Sequence, residues 1–324
     1  MKSFKFFWTV FSALTLLTSQ LVLAGSDAGS TNKAVVTPAV ADDKPAPLPL
    51  HDIEGTGGVL TTKSAYLVNQ PRDGQAVGLP AIGQGFISLG NGRYLTPTTL
   101  TWSPVSRVEL GYGFDWFDLG NLPGQVKSAT GISIPNSVFL NNFNLRLQLI
   151  KENDFGTKWL PAITFGTDYK VNSGISTINN DLHGALTHIG ISGNQGVDFT
   201  LYATKLLTFI PNHPVLIDVG GRETRGQEIG LLGFSSKYNL LFEANAGIFL
   251  TNWLILAGEF RQQPNAYNTT ALSPLIGKSD NWETVDLAWI VNKHLTIATA
   301  WGHFGNVVNA QANGVWGFTA KYEF

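Results

Sequence analysis

The sequence predicts an all-β fold, a transmembrane antiparallel up-and-down β-barrel of about twelve strands, and three observations carry that prediction. The closing run Trp316, Phe318, Ala320, Tyr322, Phe324 sets an apolar or small side chain at every second position, with Gly317, Thr319, Lys321 and Glu323 between. A period of two with one oily and one polar face describes a strand between hydrocarbon and a wet or polar interior. Strand-like runs bounded by turn residues recur from Ala81 almost to Phe324. Charged residues are 14% of the 324, whereas there are 35 glycines, 9 tryptophans and 20 phenylalanines. Beyond the first 24 residues no apolar stretch approaches the ~20 residues of a membrane helix. A membrane location then requires a closed sheet, which also pairs every backbone group in lipid.

At the amino end, Met1–Lys5 holds two lysines, 6–23 is mostly apolar, and Val22-Leu23-Ala24 offers a peptidase site. We expect a signal peptide cleaved near Ala24. A retained anchor helix fits less well, since Thr9, Ser12, Thr15, Thr18, Ser19 and Gln20 dilute the apolar run. The absence of cysteine excludes a lipid-anchored amino-terminal Cys and any disulfide. Residues 25–53, with Pro38, Pro45, Pro47 and Pro49, read as a flexible periplasmic linker. Residues 54–324 read as the outer-membrane barrel, its first part, 54–80, being short on alternation: a plug, a first strand or a lead-in.

Twelve strands are expected over 81–90, 95–102, 107–117, 139–150, 159–170, 197–209, 214–223, 239–250, 253–262, 281–291, 294–304 and 314–324. Twelve is even, as bacterial barrels prefer. Turns at 103–106, 251–252 and 291–293 are short, while 118–138, 171–196, 263–280 and 305–313 are long. Short turns belong on the periplasmic side and long loops outside. The intermediate 151–158 falls where a periplasmic turn belongs.

Alternation alone also fits a soluble sandwich. The charges in mid-strand favour a barrel, where they face the lumen: Arg107, Glu109, Asp115, Arg146, Asp168, Asp198, Asp218, Glu243, Glu259, Arg261, Asp286, Lys321 and Glu323. Nine of these are acids and four are bases, so an open pore would mildly prefer cations or neutral polar solutes. Trp316, Phe318, Tyr322 and Phe324 form the expected assembly signal, read by barrel-assembly machinery through the C-terminal strand. Outer-membrane lipids and lipopolysaccharide are the other expected partners. A net charge of −2 argues against nucleic acid.

Several stretches also resemble a Gram-negative outer-membrane family catalogued only as a domain of unknown function, porin-like in character. They are Trp159-Leu-Pro-Ala-Ile-Thr-Phe-Gly-Thr-Asp-Tyr-Lys170, Gly196-Val-Asp-Phe-Thr-Leu-Tyr-Ala-Thr-Lys205, Gly230-Leu-Leu-Gly-Phe234, Ala257-Gly-Glu-Phe-Arg-Gln-Gln-Pro264, Asp280-Asn-Trp282, Asn292-Lys-His-Leu-Thr296 and the closing Lys-Tyr-Glu-Phe. The resemblance runs from about Leu145 to Phe324; it implies a barrel and assigns no activity.

Chemistry-bearing motifs are sparse. His303, near a strand end, lacks a designated serine, and no Gly-x-Ser-x-Gly occurs. His183 and His188 lie in a loop, where a His-x4-His spacing does not bring two ligands together. Gly220-Gly221 and the other glycine pairs precede no Gly-Lys-Ser/Thr and read as strand bends. The dense charges Arg222, Glu223, Arg225 and Glu228 read first as a solvated strand end, with a constriction patch or a lipopolysaccharide contact as the alternatives. No catalytic residue, metal or cofactor is expected. The expected role is a porin-like channel or transporter for small polar solutes in the cell outer membrane. A closed structural or assembly barrel is the alternative, and a lipid-modifying enzyme the third.

Overall fold

The computed structural model describes residues 48–72, 74–265, 278–307 and 310–324. The expected signal peptide and most of the expected linker lie outside the described residues. Two short strands, β1 (Leu50–His51) and β2 (Gly57–Gly58), pair with each other. The barrel then follows as β3 (Pro80–Gly90), β4 (Arg93–Val105), β5 (Val108–Asp118), β6 (Ser137–Ile150) and β7 (Ala162–Asn172). After β8 (Ile191–Gly193), a short strand lying against the rim, come β9 (Gln195–Leu207), β10 (Val215–Gly226), β11 (Phe234–Phe249), β12 (Leu254–Arg261), β13 (Trp282–Ile290) and β14 (Leu295–His303). A small hairpin, β15 (Gly305–Val307) with β16 (Ala310–Ala312), precedes the last strand, β17 (Val315–Glu323).

Twelve of these strands form one closed antiparallel ring. Sequence neighbours pair around it, β10 meets β11 from Val215↔Ile248 through Glu223↔Leu240, and β17 meets β3 from Trp316↔Ser88 to Glu323↔Ala81. Each of the twelve expected runs maps to one strand of the ring; the largest offset is at β11, expected from 239 and beginning at Phe234. No sheet edge is left for lipid to meet.

The period-two pattern sorts side chains as hydrogen-bond closure requires. Trp316 is 50% exposed and Phe318 47%, while Lys321 and Glu323 of the same strand are buried. Along β5, Leu110 and Trp116 point out while Glu109 and Asp115 are buried. Aromatic contacts ring both ends of the outer wall. Phe86–Trp316 and Trp116–Phe139 lie near the long-loop end, and Trp253–Trp289 and Tyr322–Phe324 near the short-turn end.

The long loops 118–138, 171–196 and 305–313, as far as they are described, contribute side chains that cap one mouth. Helix α1 (Leu122–Thr130) carries proline in its first turn and ends on Gly131 at φ 76°, the left-handed position that glycine fills without strain. Helices α2 (Ile175–Asp181) and α3 (Ala185–His188) follow β7. Val126, Ile178 and Leu186 of these helices join Leu231, Phe304 and Val315 in one buried apolar cluster. Ile53 and Leu60 reach the same cluster from below.

Residues 49–58 and 60–65 are buried, and their partners lie on strands all round the ring, so this segment runs inside the barrel. It enters at the short-turn end, where the Lys321 ammonium donates to the Pro49 carbonyl. It returns to the same end, where β3 begins at Pro80. Residues 48–53, expected within the flexible linker, are thus part of the lumen's contents. His51 is fixed there by Thr99 Oγ1 and Thr101 Oγ1, each at 2.7 Å.

Candidate functional site

The lumen owes its contents to local rules. Asp52 Oδ1 accepts the Thr56 N–H at 2.7 Å, and the Asp52 N–H donates to the Thr56 carbonyl at 2.9 Å, turning the chain tightly between β1 and β2. Gly55 sits in that turn at φ 83°. Opposite it, β5 presents Gly111 and Gly113 inward; a Cβ on Gly111 would fall 2.2 Å from the Gly55 carbonyl oxygen, and one on Gly113 2.5 Å from that of Glu54. The wall is therefore bare where the inner segment presses against it.

Glu54, at the apex, is the hub of a buried ion-pair cluster. Arg222 of β10 grips it in a two-pronged contact at 2.7 and 2.6 Å, Arg261 of β12 donates at 3.0 Å, and the ammonium of Lys170 on β7 touches its Oε1. Lys63 of the inner segment bridges Asp168 at 3.0 Å and Asp52 at 3.6 Å. Asp198 meets Lys170 at 2.6 Å and Arg222 at 3.1 Å, and Glu243 meets Arg222 at 2.9 Å and Arg261 at 3.3 Å. Asp52, Glu54, Asp168, Asp198 and Glu243 thus face the four cations Lys63, Lys170, Arg222 and Arg261, all of them buried. Burying such charges costs several kcal/mol each unless they are paired and hydrogen-bonded, and the cluster supplies both.

Other wall residues hold the inner backbone. Glu259 accepts the N–H groups of Thr61 and Thr62 at 2.9 and 2.7 Å and the Thr62 hydroxyl at 2.6 Å. Glu109 accepts Val68 N–H at 2.7 Å and Gly57 N–H at 3.2 Å, while pairing with Arg146 at 2.8 Å. Asp218 accepts Ala65 N–H at 3.2 Å. Asn144 and Gln148 donate to the carbonyls of Glu54 and Ala65. These bonds add to the short β1–β2 ladder in satisfying the segment's backbone.

Of the thirteen charges expected in the lumen, twelve are buried on the inner face of the ring. Asp115 takes Asn142 Nδ2 at 2.9 Å, Asp286 takes the Thr284 hydroxyl at 2.8 Å, and Lys321 pairs with Glu323 at 2.6 Å. Arg107 is the exception. It stands outside β5, at φ 77° in the turn after β4, and its guanidinium pairs with Asp154 at 2.8 Å on the rim. The two-residue turn needs a left-handed residue there, which breaks the alternation one position before the strand starts.

Sequence reasoning missed Asp52, Glu54, Lys63, Lys170 and Arg222. Arg222, read as part of a solvated strand end in preference to a constriction patch, shares the inward parity of Asp218, and Lys170 shares that of Asp168, so counting by twos one step further finds both. Nothing in the irregular stretch 49–68 marks Asp52, Glu54 or Lys63.

Above the cluster, residues 227–232 dip into the mouth between β10 and β11. Asn172 Nδ2 donates to the Gly230 and Leu231 carbonyls at 3.0 and 2.8 Å, and Lys170 to the Ile229 carbonyl at 3.1 Å. Glu228 and Ile229 hold φ of 47° and 59°, uncommon for side-chain-bearing residues and costly for a β-branched one. Burial pushes the Glu228 carboxyl up to about 8, with Ser279 and Trp282 opposing the shift.

The carboxylates of Glu54, Asp168 and Asp198 lie within metal-chelating reach of one another. Their oxygens are already engaged by Lys63, Lys170, Arg222 and Arg261, so the trio works as one side of an ion-pair cluster. On the outside, Trp316, Phe318, Tyr322 and Phe324 all face outward. His303 ends β14 opposite Glu283.

The model of the family described as "Protein of unknown function (DUF3034)" matches residues 52–320. No curated protein matches the chain. Among solved structures, the KdgM porin in complex with disordered oligogalacturonate is similar at 9% identity over 75% of this chain and 99% of its own, with a TM-score of 0.44. The COG4313 outer membrane channel from Pseudomonas putida F1 is similar at 10% identity over 76% and 96%, TM-score 0.42. Outer membrane phospholipase A from Escherichia coli is similar at 9% identity over 76% and 94%, TM-score 0.35.

Proposed function

We propose that this chain, which belongs to the DUF3034 family of proteins of unknown function, is a plugged outer-membrane conduit for small polar solutes, closed in the conformation described, with residues 48–72 as the plug. The Glu54 cluster carries this reading. A barrel meant to stay sealed is filled at least as well by apolar side chains, because replacing buried ion pairs with packed hydrocarbon is often neutral or stabilising. Here the wall keeps its charges, and the filling is a separate stretch of backbone held by ion pairs and hydrogen bonds that water can replace. On this reading the short turns face the periplasm. Lipid and lipopolysaccharide surround the aromatic belts, and the C-terminal strand is the one that assembly machinery engages.

A second reading, a permanently closed envelope barrel, is favoured by the apolar cap at the long-loop mouth. Planar-bilayer recording separates the two. The intact mature chain is expected to be mostly silent, and a chain lacking residues 25–72 to show stable openings. If the truncated barrel, folded by its heat-modifiable mobility, stays silent, the conduit reading falls and the closed barrel stands.

A further inference from the structure

At the short-turn end, beside the inner segment, lies a second feature that the Glu54 cluster does not use: a cavity of about 240 Å³ between residues 48–66 and the walls of β9 to β13. It is larger than the about 150 Å³ apolar cavity that takes up benzene. Its upper walls are hydrocarbon, with Leu48, Leu50, Phe249 and Ile255 among them. Leu48 is only half-buried, which leaves the mouth open toward the short-turn rim.

The floor is different in kind. The ladder runs Phe249↔Ile255, Gly247↔Ala257 and Asn245↔Glu259, and Ala257 faces Asp286 on β13, so Asn245 and Asp286 sit deeper than the apolar residues. Both line the cavity and both are at least 98% buried, Asn245 at 2% exposure and Asp286 at 1%. Asn245 spends its amide N–H groups on Thr62 Oγ1 at 2.9 Å and the Lys63 carbonyl at 3.2 Å, which fixes its oxygen as the free end. Asn245 Oδ1 and Asp286 Oδ1 have no hydrogen-bond partner among the described residues. Among those residues no lysine or arginine forms an ion pair with Asp286 either. Buried acceptors without donors are costly and uncommon.

We propose that this cavity is a binding site for a medium-chain amphiphile whose head group donates hydrogen bonds, an alkylamine being the simplest such molecule. The chain lies against Leu48, Leu50, Phe249 and Ile255, and the head reaches the free oxygens of the floor. A carboxylate head is rejected, since it would bring a third acid beside Asp286 and Glu259, which both contact the Thr284 hydroxyl and form no ion pair among the described residues. The site is independent of whether the barrel conducts.

The test is calorimetric titration of the mature chain in lipid nanodiscs with octylamine, octanoate and 1-octanol, with empty nanodiscs as baseline. Octylamine is expected to bind saturably at one per barrel and octanoate at least tenfold more weakly. Asp286→Asn is expected to weaken octylamine about tenfold while leaving octanol unchanged. Ala257→Leu, which fills the cavity at the level of Asp286, is expected to abolish saturable binding of all three. Equal or tighter binding of octanoate, no saturable octylamine binding, or undiminished binding in the Ala257→Leu protein overturns the proposal. Should Asp286→Asn fail to fold, the head-group preference of the unaltered chain and the Ala257→Leu protein still decide it.

Discussion

Arg222 holds Glu54 end-on, Nη1 to Oε1 at 2.7 Å and Nη2 to Oε2 at 2.6 Å, joining residues 168 positions apart in sequence. The geometry is the planar fork of a guanidinium on a carboxylate, the strongest form of charged hydrogen bond available to side chains. Removing the carboxylate leaves Arg222, Arg261 and Lys170 facing one another in the same interior. Glu54→Gln is therefore expected to cost about 3–5 kcal/mol of inner-segment docking. The chain has no native cysteine, so maleimide labelling of Val59→Cys reads docking directly: slow in the parent, at least tenfold faster with Glu54→Gln. Equal rates in the two would remove Glu54 from its central place.

Gly113 offers a test from the opposite wall. A valine there has no room, because its Cβ alone would approach the Glu54 carbonyl oxygen to 2.5 Å. Valine also suits a strand well. Gly113→Val is expected to preserve the barrel's heat-modifiable mobility while releasing the inner segment, seen as faster Val59→Cys labelling and higher bilayer conductance. A docked segment in this variant would show that the close approach is unimportant.

The mouth loop predicts a dependence on pH. Glu228 has its carboxyl raised from 4.5 to about 8 by burial, so the folded loop holds a proton that the unfolded loop gives up sooner. Its contribution to stability is full below about pH 4.5, shrinks as pH rises, and is lost once pH passes 8. Once corrected for the base-catalysed intrinsic rate, hydrogen exchange over residues 226–233 is expected to accelerate between pH 5 and pH 9 in the parent and to lose that acceleration with Glu228→Gln. The same acceleration in the glutamine variant would assign it elsewhere.

The carboxyl terminus predicts an effect on assembly without an effect on stability. Phe324 is 53% exposed and its N–H donates to the Pro80 carbonyl at 3.2 Å, across the seam between β17 and β3. Deleting Phe324 removes one ring from the outer belt and little packing from the interior. Outer-membrane levels are expected to fall several-fold, while the purified barrel unfolds in denaturant within about 0.5 kcal/mol of the parent. Unchanged levels in cells would dismiss the C-terminal strand as an assembly signal.

The ring itself was legible because its physics is local and periodic. Lipid outside and charge inside force a period of two, and that period survives in β5, β13 and β17 with few interruptions. Arg107 was misplaced because a turn residue can mimic the strand's parity. The inner segment was far less legible. Residues 49–68 owe their conformation to partners on β5, β6, β7, β10 and β12, so neither their alternation nor their composition encodes it. Lys63, in the stretch read as a plug, a first strand or a lead-in, carries no sign of its partner, and only the fold brings Asp168 within 3.0 Å of it. The cavity floor was half visible: Asp286 stood out as an inward acid, but its lack of a basic neighbour depends on which strands adjoin β13.

Pro49 and Pro80 both stand at the short-turn rim, while Ile53 and Leu60, between them in sequence, touch the cluster at the far mouth. The inserted stretch is consequently a doubled-back filament, continuous with the wall at Pro80 and hydrogen-bonded to it at Pro49. Such a filament can slide in or out as a bight, so filling and emptying the bore needs no broken ladder in the wall.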